Sequence, residues 1–142
     1  MDVAATVVAT LVSTIVASFV AWNVAEKANK AQREAGLHDL VVKIIDLAIE
    51  YPFLEQDSFC EKWPSMDEKS DRAMRYDNYC CLVFNTIERI WKHCKGNENR
   101  IEEFLSSKEM INRHKAWWRS EKENNAGYGY AFAEFVNSFL KP

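Results

Sequence analysis

The run VAATVVATLVSTIVASFVAWNVA, residues 3–25, decides how this chain is interpreted. It contains no charged side chain and is about as long as a helix must be to cross a hydrocarbon core of ~30 Å. Trp22 and Asn23 lie near its end, where an amphipathic indole favours the membrane interface. A cleaved signal peptide is the alternative, but the run is long for one, lacks a basic segment before it and precedes no A-x-A site. The sequence therefore predicts a transmembrane helix within residues 1–25.

Basic residues flank the apolar run on one side only. Lys27, Lys30 and Arg33 follow it, whereas Asp2 is the single charged side chain before it. Because positively charged flanks stay in the cytoplasm, we expect the N-terminus outside and the rest of the chain inside. Strong helix formers dominate residues 26–36, which predicts a juxtamembrane helical linker. The cytoplasmic domain is then expected in residues 37–142.

Residues spaced by four along the apolar run differ in size from one helical ridge to the next. Two ridges are small or hydroxylic, and the other two are bulky and aliphatic. Small ridges let helix backbones approach closely, and hydroxyls can bond across an interface or line a water-filled path. Alternatively, these hydroxyls only bond their own backbone. The pattern predicts a homo-oligomer and leaves open whether it conducts. The oligomer or pore face would contain Ala5, Thr6, Ala9, Thr10, Ser13, Thr14, Ala17, Ser18 and Ala21.

The remainder of the chain predicts a helical bundle, since 142 residues include only four Gly and three Pro. An amphipathic helix is expected over residues 40–51 and must stop before Pro52. Residues 52–72 predict an irregular connection that aromatic side chains pin to the core. The most regular pattern is a seam of apolar residues on one face of a predicted helix, spaced alternately four and three residues apart. It comprises Tyr76, Cys80, Val83, Ile87, Ile90 and Cys94.

Shorter helices are expected near the C-terminus. Asn99 with Glu102 and Ser106 with Glu109 resemble capping pairs, the second starting a helix that runs to about Arg119. A last helix is expected from about Tyr130 to the C-terminus. The predicted fold class is therefore all-α, with an N-terminal transmembrane helix followed by a small cytoplasmic helical bundle.

Composition and motifs exclude several function classes. The net charge of −3 does not indicate binding to duplex nucleic acid. Cys80 and Cys81 lack the C-x-x-C spacing of a metal or redox site, so the cysteines are interpreted as reduced thiols, with Cys80 and Cys94 in the core. No phosphate-binding loop, nucleophile elbow or zinc-protease motif is present. We therefore expect no enzyme activity, no cofactor and no metal.

One segment interleaves basic residues with paired indoles. Arginine and tryptophan together can bind phosphates and stack bases, so the segment is a candidate site for an oligonucleotide or nucleotide. The alternative is that the indoles belong to the core and the cations form a solvated face. The candidate anionic-ligand residues are Arg113, Lys115, Trp117, Trp118, Arg119 and Lys122.

A set of aromatic and polar residues carries a resemblance to a family of small bacterial single-pass membrane proteins of unknown function. It comprises Tyr51-Pro52-Phe53-Leu54-Glu55, Arg75-Tyr76, Tyr79-Cys80, Phe84-Asn85, Glu88, His114, Trp117 and Phe135-Val136. The layout, one anchor helix before a small helical sensor, is similar to membrane effectors of bacterial anti-phage systems such as the Hailong type, a tetramer controlled by a DNA oligomer. The resemblance implies an inner-membrane location and supplies no catalytic residues.

These features lead to one preferred function and one alternative. The preferred function is a homo-oligomer in membrane lipid whose cytoplasmic domain senses a ligand or partner protein and controls the membrane helices, as a pore-forming antiviral effector would. The alternative is a non-conducting accessory or scaffold subunit of a larger membrane complex.

Overall fold

The computed structural model describes residues 3–120 and 127–140, with side chains from residue 13 onward in the first range. All regular elements of these residues are helical, which confirms the all-α class. The chain divides into two compact units, Met1–Gly36 and Leu37–Pro142. The α-helices are α1 (Val3–Glu50), α2 (Asp57–Lys62), α3 (Asp71–His93), α4 (Glu98–Glu102), α5 (Ser107–Arg113), α6 (Lys115–Trp118) and α7 (Tyr130–Phe139), and 3-10 helices cover Pro52–Glu55 and Trp63–Ser65.

In the first unit, the described side chains of α1 are almost all exposed. Ile15, Phe19 and Trp22 are each more than 60% exposed although they are large and apolar. Asn23 is half-buried, and its side-chain amide donates to the carbonyl oxygen of Phe19 at 2.9 Å. Among the residues whose side chains the structure describes, no helix is both long enough and apolar enough to cross a membrane.

The predicted oligomer or pore face falls partly outside the described side chains. Ala5, Thr6, Ala9 and Thr10 lie in the backbone-only part of α1. The remaining members of this face are exposed in the chain: Ser13, Thr14, Ala17, Ser18 and Ala21.

In the second unit, α1 presents one face to the core and ends where the sequence predicts. Leu37, Val41 and Ile44 are buried at the three–four spacing of a packed helix. Ile45, which the sequence places in the same apolar stretch, is half exposed because it lies at the edge of this face. The helix ends at Glu50, since Pro52 cannot continue it.

Helix α3 is the central element of this unit. The Ser70 hydroxyl accepts a hydrogen bond from the Ala73 backbone N–H at 3.2 Å and so caps its N-terminus. The predicted burial of Cys80 and Cys94 is confirmed, and none of the four cysteines is in a disulfide. All six positions of the predicted seam are buried: Tyr76, Cys80, Val83, Ile87, Ile90 and Cys94.

The connection over residues 52–72 is more regular than expected. It contains α2 and both 3-10 helices, and each 3-10 helix has a proline at its beginning. Proline fixes φ near the helical value and lacks the N–H that a first turn leaves unpaired, so it starts such helices readily. Leu54 and Trp63 are buried, as the predicted pinning to the core requires.

The expected helices after α3 require two corrections. Asn97, not Asn99, caps α4, because the Asn97 side-chain oxygen accepts from the Arg100 N–H at 3.2 Å. The single helix expected to run to about Arg119 is divided at His114, whose φ of −97° and ψ of 19° depart from helical values. The break is local, since the His114 carbonyl oxygen still accepts from the Trp118 N–H at 3.2 Å.

Candidate functional site

A polar cluster around Glu55 joins three parts of the helical domain. Pro52 begins the 3-10 helix directly after α1, and its last residue, Glu55, reaches the seam of α3. Tyr76, a residue of that seam, and Tyr79 are both buried residues of α3. His114 lies at the turn between α5 and α6. The cluster therefore depends on contacts between residues far apart in sequence.

The Glu55 carboxylate accepts from several donors. Its Oε2 accepts from Arg113 Nη1 at 2.6 Å. Its Oε1 accepts from the Tyr79 hydroxyl and lies 3.2 Å from His114 Nε2. On the other side of the imidazole, His114 Nδ1 lies 2.9 Å from the Tyr76 hydroxyl oxygen. Both contacts are satisfied when Nε2–H donates to Glu55 and Nδ1 accepts from the Tyr76 hydroxyl.

These contacts shift the pKa values of the cluster in opposite directions. Burial alone would raise the pKa of Glu55, but hydrogen bonds from His114, Tyr79 and Arg113 outweigh it and lower the pKa to about 2. Burial raises the pKa of Tyr79, and its hydrogen bond to the Glu55 carboxylate raises it further. Burial also raises the pKa of Tyr76. The cluster therefore holds one carboxylate ionised and both phenols neutral across the physiological range.

The cluster links elements of the fold and is largely enclosed by them. His114 is 0% exposed, so the imidazole has no solvent-facing edge. Arg113 extends the ion pairs outward, with Asp57 at 3.3 Å and Glu109 at 2.7 Å. Among the described residues, no group of three or more His, Cys, Asp or Glu is arranged to hold a metal ion.

The two indoles of the basic–aromatic segment lie in the core. Trp117 and Trp118 are each 1% exposed. Both stack on Phe84, with ring centroids 5.2 Å and 4.8 Å away. The Trp117 indole N–H donates to Asp77 at 2.7 Å, and that of Trp118 donates to Asn137 at 3.0 Å. Their ring faces are therefore occupied by other parts of the chain.

The cations of the same segment have different surroundings: Arg113 and Lys115 line one groove, and Arg119 borders another. Arg113 is engaged by three carboxylates, and Arg119 donates to the Leu140 carbonyl oxygen. Lys115 is exposed. Lys122 lies outside the described residues. The anionic-ligand site proposed for Arg113, Lys115, Trp117, Trp118, Arg119 and Lys122 stays a prediction.

Several grooves open on the described surface of the helical domain. One, of about 720 Å³, is bordered by Trp63, Asp77 and Arg119, among others. A second, of about 440 Å³, is lined by Arg113 and Lys115 together with Asp57, Glu61, Glu109 and Asn112. A third, the α1–α3 groove, has a volume of about 320 Å³ and lies between the end of α1 and α3. It is lined by Lys43, Leu47, Tyr51, Leu54, Arg75, Asn78, Tyr79 and Leu82.

Sequence reasoning missed the Glu55 cluster as a unit. Glu55, Tyr76, Tyr79 and His114 all belong to the residues that carry the family resemblance. That shared membership was the available signal, but it did not show which of them touch. Comparison with known protein families, curated proteins and solved structures gives no match for this chain.

Proposed function

We propose that this chain is a homo-oligomeric, single-pass membrane protein whose cytoplasmic helical domain responds to a ligand or partner and controls the membrane helices. The uncharged run over residues 3–25 is the proposed span. Lys27, Lys30 and Arg33 support an orientation with the N-terminus outside and the helical domain in the cytoplasm. The layout resemblance suggests a pore-forming defence effector as the physiological form.

The exposure of the apolar side chains on α1 carries this proposal. Ile15, Phe19, Trp22 and Val24 are each 61–67% exposed. The first three lie on one face, at the spacing i, i+4, i+7, and Val24 lies on the opposite face. Leaving such surface in water costs about 25 cal/mol for each Å² of apolar area. A helix that is apolar all round is normally covered by lipid or by other helices. Membrane lipid together with further copies of α1 would cover this surface.

The ridges suggest how lipid and protein share the helix. Ala17 and Ala21 belong to a small ridge, which would allow close backbone contact between copies. Val16 and Val20 belong to a bulky ridge, which suits contact with lipid chains or looser packing. The homo-oligomer is therefore expected to form through the small and hydroxylic ridges.

The test compares leucine substitutions on the two kinds of ridge in the full-length protein. Ala17→Leu should reduce the oligomer mass measured by light scattering in mild detergent, because a branched chain separates the backbones. Val16→Leu, at nearly the same depth, and Ala4→Leu, an identical change on the bulky ridge, are the matched controls and should leave the mass unchanged.

Two outcomes would contradict the proposal. If wild-type protein is monomeric in detergent and assembles only with other chains, the accessory-subunit alternative is correct. If wild-type protein is recovered in the soluble fraction without detergent, the apolar helix is not a membrane span.

A further inference from the structure

A row of exposed aliphatic side chains lies on the part of α1 that belongs to the helical domain. Val42, Ile45 and Ile49 are 53%, 50% and 71% exposed. Their spacing of i, i+3, i+7 places them along one side of the helix, next to the face through which Val41 and Ile44 enter the core. These three residues are called the α1 stripe below. Covering them would remove three large apolar side chains from water.

The charged residues of the same part of α1 lie on another side of the helix. Asp39, Lys43, Asp46 and Glu50 follow one another at steps of four, three and four, and all are exposed. Helices that lie on a membrane surface carry Lys and Arg on their polar face, because anionic lipids attract cations. A polar face that is mainly acidic therefore argues against lipid as the cover of the α1 stripe.

The spacing of the α1 stripe continues toward the N-terminus of α1. Within the charged linker, residues 26–36, the only apolar side chains are three alanines, and all of them fall on this spacing. Alternation by three and four over about four heptads is typical of helices that wind around each other. The positions that precede the stripe are Val24, Ala28, Ala31, Ala35 and His38, and each is exposed in the chain.

His38 is the polar member of this row. Its ring stacks on Phe104, with the ring centroids 4.9 Å apart, yet the residue remains exposed. A single polar residue at such a position lowers the stability of paired helices but helps to fix their register. The row therefore tolerates His38 as one exception among apolar positions.

The same alternation also meets the oligomer face predicted for the apolar run. Steps of three and four lead from Val24 back to residues that already belong to that face: Ala21, Ala17, Thr14 and Thr10. The full set of positions from Thr10 to Ile49 is called the α1 seam. One register in the sequence thus contains both the α1 stripe and part of the proposed membrane contact.

We propose that the α1 stripe packs against the α1 stripe of a second copy of this chain, as the C-terminal part of a parallel coiled coil along the α1 seam. This inference rests on the proposed function, because copies that insert into one membrane in the same direction bring equivalent residues to the same depth. The helical domains are then held side by side through α1.

The area available on α1 is sufficient for such a pair. With 48 residues, α1 is about 72 Å long. A contact over ~100° of a helix ~11 Å in diameter is about 10 Å wide and covers roughly 700 Å² of each chain. Two copies would bury roughly 1,400 Å², within the ~1,200–2,000 Å² of stable interfaces. The α1 stripe supplies only part of this area, so its pairing depends on the rest of α1.

Disulfide crosslinking in membranes of cells that express the full-length protein tests the contact. Ile45→Cys places a thiol on the α1 stripe, and equivalent core positions of a parallel pair are close enough for a disulfide. Lys43→Cys, exposed on the charged side two residues away, is the matched control. Oxidation should link Ile45→Cys into dimers at least about tenfold faster than Lys43→Cys. Wild-type protein, whose cysteines are buried or half-buried, gives the background.

A charge in the linker tests the register. Glu34 precedes the seam residue Ala35, and Asp39 follows the seam residue His38, so Glu34 of one copy faces Asp39 of the other in a parallel pair. Glu34→Lys turns this repulsion into attraction and should speed the linkage of Ile45→Cys about threefold or more. Glu50→Lys, the same change outside the seam, should leave the rate unchanged.

The outcomes separate this inference from the proposed function. Equal linkage of Ile45→Cys and Lys43→Cys, or a linkage rate that Glu34→Lys does not raise, would overturn the pairing of the α1 stripe. Ala17→Cys is oxidised in parallel to report contact within the membrane. Linkage of Ala17→Cys without that of Ile45→Cys would retain the proposed function and reject this inference. Linkage of Ile45→Cys alone would retain the stripe contact and reject oligomerisation through the span.

Discussion

The charge of a single residue, Glu55, illustrates how the helical domain combines a polar cluster with an apolar core. Its carboxylate is partly buried, yet three neighbouring donors keep it ionised. A carboxylate with a lowered pKa stabilises the folded state at any pH above its unfolded pKa. That stabilisation is lost as the pH falls toward the folded pKa. Glu55 should therefore contribute to stability at neutral pH and not in strong acid.

The variant Glu55→Gln tests this contribution. The amide keeps the shape but loses the charge that pairs with Arg113, so we expect unfolding to become easier by about 1–3 kcal/mol at neutral pH. Because the pKa falls from 4.5 unfolded to about 2 folded, the difference from wild type should shrink as the pH drops from 4.5 to 2. Fluorescence of the buried indoles Trp117 and Trp118 in the full-length protein reports the transition.

The control for this variant keeps the carboxylate and removes one donor. Tyr79→Phe loses the hydroxyl that donates to Glu55 and should destabilise less at neutral pH, since Arg113 and His114 still bind the carboxylate. A wild-type advantage over Glu55→Gln that stays constant down to pH 2 would mean that the carboxylate charge does not stabilise the fold.

Thr86 offers a second test at the level of one side chain. It is buried in α3, and within the described residues its hydroxyl oxygen has no hydrogen-bond partner. A buried unpaired hydroxyl costs about 1–3 kcal/mol, which an isosteric methyl avoids. Thr86→Val should therefore raise stability by about 1 kcal/mol in thermal or chemical unfolding.

The comparison variant Thr86→Ala separates polarity from packing. It removes the hydroxyl and also a methyl group, so the cavity should cost stability. If Thr86→Val destabilises as much as Thr86→Ala does, the Thr86 hydroxyl has a hydrogen-bond partner in solution and does not cost stability.

Among the elements, the C-terminus of α3 has the geometry of a Schellman motif. The Lys95 N–H donates to the Lys92 carbonyl oxygen at 3.2 Å, and the Gly96 N–H donates to that of Trp91 at 2.9 Å. Lys95 has a φ of 53° and Gly96 a φ of 75°. Left-handed values are unfavourable for any residue with a Cβ atom, so the motif contains one residue suited to its conformation and one that is not.

Two substitutions at this end should change stability in opposite directions. Gly96→Ala adds a Cβ at positive φ, 3.4 Å from Trp91 Nε1, and should cost about 1–2 kcal/mol. Lys95→Gly relieves the strained residue and should stabilise by about 0.5–1 kcal/mol, as glycine at this position of a helix end usually does. Urea unfolding of the full-length protein measures both. Destabilisation by both variants would show that the Lys95 side chain matters more than its backbone angle.

Element prediction from the sequence was best where periodicity was long. The α3 seam runs through six apolar positions, and all of them are buried, because a repeated three–four spacing can satisfy only one face of a helix. Short elements were predicted less well. Examples are the 3-10 helices, the Asn97 cap and the division at His114. Each depends on one or two local hydrogen bonds, and the sequence offers several residues nearby that could form those bonds.

At the scale of the whole molecule, the polar cluster could not be assembled from the sequence. Glu55 lies 59 residues before His114 and 24 before Tyr79, so only the packed bundle brings them together. The sequence of the basic–aromatic segment was compatible with two interpretations, a ligand site and a part of the core. The stacking of Trp117 and Trp118 on Phe84 shows that both indoles lie in the core.

The last prediction concerns the hydroxyl ridge of α1 in the assembled protein. Thr10 and Thr14 lie one turn apart on this ridge, next to the small ridge that contains Ala17. In a dry interface, Thr→Val preserves shape and loses only a modest hydrogen bond, so assembly should survive. In a water-filled pore, the same change makes the constriction apolar, and an apolar constriction loses its water.

The double variant Thr10→Val/Thr14→Val therefore distinguishes packing from conduction. We expect an oligomer mass equal to that of wild type, together with strongly reduced dye or ion leakage from liposomes that contain the protein. Val8→Thr/Val12→Thr places hydroxyls on the bulky ridge and should leave leakage unchanged, because that ridge faces away from the proposed path. Leakage that persists undiminished in the Thr→Val variant would mean that the hydroxyls do not line a path, and a mass that falls would mean that they hold the helices together.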